Sequence, residues 1–158
     1  MSLVLAGGAA GMLGGFLPKS RLTIDCDVVW SDAKVVWSRI ETAARTVSAE
    51  RGLSPKWLNR ECAMFGFNLA LGWHDRCEEV GKFSPLNVTR ISRLDLLAMK
   101  LVSAAKRLQD ITDLDSMKPT GSELDFLEAH LDRLEREDLD RQTFDRQRSI
   151  LAGFREPL

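Results

Sequence analysis

The sequence has no membrane-spanning helical run, since no apolar stretch approaches the ~20 residues such a helix requires. It has little cysteine. Cys26, Cys62 and Cys77 are odd in number and far apart, with no CxxC pair. That spacing excludes a disulfide framework and the common zinc sites, and it fits reduced thiols in a cytoplasmic protein. Excess charge is also missing: 22 Lys and Arg against 23 Asp and Glu leave a formal net of −1. A bulk electrostatic footprint for DNA or anionic membrane is thereby excluded. No Gly-x-Ser-x-Gly, P-loop or His-Glu-x-x-His pattern occurs. The opening MSLVLAGGAAGMLGGFL is apolar, but it has no basic segment and is broken by Gly7, Gly8, Gly11, Gly14 and Gly15. No signal peptide is expected from it.

What is present is an ordinary globular composition, 158 residues at 44% hydrophobic and 28% charged. A chain of this size buries ~68–70% of the surface its unfolded form exposes, so a single domain over 1–158 is expected. Leu3–Ala6 reads as a buried strand turning at Gly7-Gly8, followed by a short helix of small residues and Pro18. Arg21–Trp30 alternates polar and apolar residues, the pattern of a strand. Asp32–Glu50 carries Val36, Ile40, Ala43, Ala44 and Val47 at helical spacing, and Gly52 closes it. Ser54-Pro55 predicts a short helix over Lys56–Cys62. Phe65–Leu71 and Asn87–Ile91 read as strands around a loop or hairpin. Ser92 with Asp95 and Thr120 with Glu123 are capping boxes that open two helices. Their stripes are Leu97, Leu101, Ala104, Ala105 and Leu108, then Leu124, Leu127, Leu131 and Leu134. Asp110–Met117 is a shorter helix between them, and a last helix is predicted from about Leu139 to Leu151. The fold class is α+β: one mixed sheet with helices packed on it, and a helical C-terminal half from about residue 92.

Charge is uneven along the chain. Ala33–Arg60 holds Lys34, Arg39, Arg45, Arg51, Lys56 and Arg60 against Glu41 and Glu50, a local net of +4, whereas Ser122–Arg148 has a local net of −4. Two readings stand side by side: solvated helical faces, or a basic strip that meets a phosphate-bearing partner.

The segment Arg21-Leu22-Thr23-Ile24-Asp25-Cys26-Asp27-Val28 bears on chemistry. As a strand it would place Arg21, Thr23, Asp25 and Asp27 on one face and Leu22, Ile24, Cys26 and Val28 in a core. Aspartate is disfavoured in strands, and two on one face, about 6.6–7 Å apart, repel each other. A cation relieves this, and carboxylate oxygens with substrate phosphates are the ligands Mg²⁺ prefers. The plain alternative is an exposed face on which the aspartates pair with Arg21 or a lysine. The preceding glycine turn would lie beside these carboxylates, where glycine lets a phosphate approach the backbone closely.

Taken together, LAGGAA and RLTIDCDVV resemble the strand–turn–helix–strand signature of the DNA polymerase β-type nucleotidyltransferase superfamily. More narrowly the chain is similar to small bacterial nucleotidyltransferase-fold proteins related to AbiEii-type toxins of toxin–antitoxin pairs. The helix Asp95-Leu96-Leu97-Ala98-Met99-Lys100-Leu101, the aspartate-rich turn at Asp110 and Asp113, and Gly72-Trp73 with Arg76 extend the likeness over roughly Leu3 to Leu131. The resemblance implies that Gly7, Gly8, Arg21 and Thr23 contact the nucleotide. It implies that Asp25 and Asp27 bind Mg²⁺ (or Mn²⁺) and through it an NTP, and that Lys100 reaches substrate phosphates with Asp110 beside it. Read without it, Lys100 is a surface lysine of an amphipathic helix, and Asp110 and Asp113 are acids at a helix start.

One departure from the superfamily concerns its third carboxylate, usually carried on a neighbouring strand as general base. The expected strand Phe65–Leu71 offers only Asn68, with Asp75, Glu78 and Glu79 in the loop beyond. His74 and His130 read as exposed histidines, and Trp30, Trp37 and Trp57 as core or rim residues rather than a base-stacking platform. Two functions follow. One is Mg²⁺-dependent transfer of a nucleotidyl group from an NTP to a hydroxyl or phosphate acceptor, with RNA explaining the basic strip. The other is a catalytically weak nucleotide- or partner-binding module of the same fold, paired with an antitoxin protein.

Overall fold

The structure is a computed structural model that describes residues 1–34, 36–137 and 144–155. The chain divides into two compact units, one made of Met1–Phe67 with Gly72–Ser92, the other of Asn68–Leu71 with Arg93–Leu158. The expected α+β class, with a mixed sheet and a helical second half, is the architecture adopted.

The first unit is built on β1 (Ser2–Ala6), α1 (Gly7–Leu13), β2 (Cys26–Ser31), α2 (Trp37–Arg51), β3 (Leu58–Asn59), β4 (Glu78–Phe83) and β5 (Leu86–Arg90). The strands lie in the order β3-β2-β1-β5-β4. Central β1 runs antiparallel to β2 and parallel to β5, and Leu3 to Ala6 are buried, as a continuous apolar run in a strand covered on both faces requires. The hairpin β4–β5 forms the far edge, with a register shift between Glu79 and Gly81. Arg90 is buried there, its guanidinium 2.7 Å from Glu78 and 4.6 Å from the Phe16 ring centre.

Several local expectations fail here. Strand β2 starts at Cys26 and not at Arg21, because the antiparallel register pairs Ala6 with Asp27, after which β1 turns into α1. Residues 21–25 therefore have no strand to pair with, and Leu22 and Ile24 stand exposed instead of entering a core. The expected helix Lys56–Cys62 does not form over Lys56–Arg60, and its last two residues open a 3₁₀ segment. Trp57 closes a turn onto Ser54, its indole donates to the Ala44 carbonyl at 2.9 Å, and Leu58–Asn59 pairs in parallel with Cys26–Asp27. Those two residues satisfy backbone groups that the start of β2 would otherwise leave open. The predicted strand Phe65–Leu71 is replaced by a 3₁₀ segment, Glu61–Asn68, and short apolar runs of this kind do not by periodicity tell strand from helix.

Helix α2 begins at Trp37, later than Asp32, and ends at Gly52 in the left-handed conformation (φ 64°). Of its predicted stripe only Ala44 is buried, while Val36 and Val47 are exposed.

The second unit contains α3 (Arg93–Ala104), α4 (Leu108–Met117), α5 (Gly121–Arg136) and α6 (Phe144–Gly153). The capping box at Thr120 and Glu123 is formed, and Leu124, Leu127, Leu131 and Leu134 are buried as predicted. Leu108 does not extend the α3 stripe. It is exposed and opens α4. The predicted start of the last helix at Leu139 lies outside the described residues. Among those described, no helix is long and apolar enough to cross a membrane.

His130 is buried on α5, not exposed, and its Nε2 has no hydrogen-bond partner. Burial, helped by the nearby Arg133 guanidinium, pushes its imidazole from 6.5 down to about 4. The folded state thus holds His130 neutral where the unfolded chain takes up a proton. Its contribution is whole above pH 6.5 and is lost as pH falls toward 4, by up to about 3 kcal/mol. The melting temperature should therefore drop across that window, and His130→Gln should flatten the drop. An unchanged slope in the variant would assign the acid sensitivity to another group.

Candidate functional site

The sequence places a glycine pair where β1 ends, and the fold shows why. Gly7 has φ 64°, a left-handed conformation that favours glycine, and a Cβ there would be driven into the Asp27 carboxylate. A Cβ on Gly8 would lie 2.5 Å from the Arg21 guanidinium and 3.1 Å from the Thr23 hydroxyl. The bare backbone of the turn is thus the wall against which Arg21, Thr23 and Asp27 sit. Thr23 also donates to the carbonyl of Asp25 at 3.1 Å and to its carboxylate at 3.2 Å.

The structure therefore brings together Gly7, Gly8, Arg21, Thr23, Asp25 and Asp27, though not as one strand face. Asp27 is on β2, and Asp25 lies in the irregular segment before it. The two carboxylates flank Cys26 at the strand entrance. Their negative charge is felt by both nearby thiols. Burial first, then Asp27 and Asp25, pushes Cys26 up to about 11, and burial and then Asp27 push Cys62 up to about 12. Both thiols are protonated at neutral pH and poor nucleophiles.

Lys100 and Asp110 are also brought together, in the second unit. Nζ of Lys100 lies 2.6 Å from Asp110 and 2.6 Å from Asp113, with the lysine side chain 7% exposed and each carboxylate 2%. Gln109 donates to Asp113 at 3.3 Å, and Arg107 lies 3.5 Å from Asp110. Lys100 is thus no surface lysine, and both aspartates are more than helix-start acids. Asp113 was not among the expected site residues. Its spacing three residues beyond Asp110 puts both on one helical face, which is the signal that would have found it.

Asn59 is a further residue that sequence reasoning passed over. It stands across from Asp27 in the β2–β3 register, the place first assigned to Asn68 on a strand that does not form. Glu78 and Glu79 are on β4, at the opposite edge of the sheet from β3, where they pair with Arg90 and Lys82. Among the described residues no group of three or more His, Cys, Asp or Glu is placed to hold a metal ion. Two carboxylates nevertheless suit Mg²⁺, which takes one or two and completes its shell with water and phosphate.

A glycine turn set against an acidic strand entrance suits a protein that handles phosphorylated substrates. Residues 1–146 match the family described as a nucleotidyltransferase of unknown function (DUF6036), and the chain belongs to that family. No curated protein and no solved structure matches it.

Proposed function

We propose that the protein transfers a nucleotidyl group from an NTP to a hydroxyl or phosphate acceptor, using the first unit's glycine turn and aspartates. The observation that carries this reading is the packing of Asp27, Arg21 and Thr23 against Gly7 and Gly8, in a chain of a nucleotidyltransferase family. The turn lets triphosphate oxygens approach backbone N–H groups, with Arg21 and Thr23 as further donors. Asp25 and Asp27 would hold Mg²⁺ (or Mn²⁺), which when bound supplies positive charge against the phosphate oxygens. The acceptor oxygen attacks the α-phosphorus, forming a new P–O bond. The bond to the bridging oxygen breaks, pyrophosphate leaves with its electron pair, and a hydroxyl proton passes to water.

In the same reading RNA is the acceptor that makes use of the basic strip, and the protein is bacterial and cytoplasmic. Cys26, Cys62 and Cys77 form no disulfide, which supports a reducing compartment. The likeness to AbiEii-type toxins supports a place in a toxin–antitoxin pair. Asn59 favours a second reading. The strand beside β2 offers an amide where a general base would stand, which suits a binding module with little turnover.

One assay separates the two. The protein is incubated with Mg²⁺, labelled NTPs, total RNA and cell extract. Transferred label that vanishes in Asp25→Ala supports the enzyme. NTP binding without transfer to any acceptor supports the module.

A further inference from the structure

The first unit holds a cavity of about 520 Å³ walled by α2 and by the chain from Pro55 to Glu61. Sites for small molecules span ~300–1,000 Å³, so one or two nucleotides fit. Arg45, Lys56 and Arg60 line it, three of the six bases of the strip with local net +4. Trp37 lines it too, with the Arg60 guanidinium 5.0 Å from its ring centre. Indole and guanidinium planes are the two surfaces on which unpaired bases stack. The wall also carries two carboxylates, and each has a partner. Glu41 accepts from the Trp37 indole N–H at 2.9 Å, which fixes the ring, and Glu61 lies 3.4 Å from Lys56. Asn59 ties the cavity to the acidic strand, since it lines the one and neighbours Asp27 across β2–β3.

We infer that this cavity binds the single-stranded end of a nucleic acid, a base on Trp37 and Arg60 and phosphates on Arg45 and Lys56. As a binding site it stands alone; as an acceptor site it rests on the transferase reading above. Duplex ends are disfavoured because their bases are already stacked on one another.

Fluorescence anisotropy tests it with short labelled single strands of RNA and of DNA and a blunt duplex, at low and physiological salt. At least one kind of single strand should bind well above the duplex. Trp37→Ala should weaken that binding about tenfold, and Trp37→Phe should restore most of it. Arg45→Glu with Lys56→Glu should weaken it about a hundredfold and flatten its salt dependence. Absence of single-strand binding, equal binding of the duplex, or indifference to these variants at unchanged melting temperature would overturn the inference. Tight, variant-sensitive binding without label transfer would instead sink only the transferase reading. Label transfer whose acceptor KM ignores the cavity variants would leave the transferase standing and remove this site.

Discussion

Replacing Asp25 and Asp27 together by asparagine is expected to lower nucleotidyl transfer by about 10³-fold or more while the protein stays folded. Charge stabilisation by a bound divalent ion amounts to several kcal/mol at a phosphoryl centre, and each 1.4 kcal/mol is a factor of ten. Asparagine keeps the shape of aspartate, so the hydroxyl of Thr23 still finds an acceptor oxygen and the Ala6–Asp27 register is undisturbed. Volume matters here because Gly7 leaves room for nothing beyond the carboxylate already present. A readout independent of turnover comes from melting curves. Mg²⁺ at 100 times its dissociation constant stabilises the folded state by about 2.7 kcal/mol, which raises the melting temperature of a chain this size by several degrees. That rise should be present in the native protein and absent in the double variant. In chelator the variant should melt within a few degrees of the native protein, helped by relief of the like-charge repulsion. A collapse of its melting temperature in chelator would instead make the aspartates structural ion-pair partners and remove the metal site.

Local signatures were more legible in the sequence than the limits of the elements that carry them. The turn at Gly7 was legible because a glycine at a positive φ is a local signature, whereas the strand reading of Arg-x-Thr-x-Asp-x-Asp held only from Cys26 on. The capping box at Thr120 and the leucine stripe of α5 were legible for the same reason, being written within one helix. The strand limits were not, because they depend on partners far away in sequence. Residues 21–25 alternate like a strand, yet β1 ends opposite Asp27 and offers them nothing to bond. Leu58–Asn59 has no strand pattern at all and becomes one only because the start of β2 has backbone groups to satisfy. That misreading placed the neighbour of the acidic strand at Asn68 and hid Asn59. The burial of His130 was hidden similarly, since on sequence it sits among the charged residues of α5 and the cover over it comes from elsewhere in the fold.

Replacing Lys100 by methionine is expected to cost about 3–5 kcal/mol of folding stability, a large share of the 5–15 kcal/mol a domain of this kind holds. Methionine fills the lysine's volume on α3 and keeps its helix propensity, so the loss isolates the charge. Without the ammonium, Asp110 and Asp113 remain buried on α4 as two carboxylates that have lost a shared cation, with Gln109 and the exposed Arg107 among their other partners. Urea denaturation of the variant should show the loss at pH 7. Adding Asp110→Asn and Asp113→Asn should recover most of the stability, because a neutral set of similar volume avoids the uncompensated charge. A stable single variant would mean that the ammonium contributes little where it lies. The triple variant then gives a folded protein in which the phosphate role of Lys100 can be measured. If NTP affinity falls about tenfold there, the Lys100–Asp110–Asp113 cluster serves the nucleotide, as the resemblance implies for Lys100 and Asp110. If affinity is unchanged, its task is to hold α3 against α4.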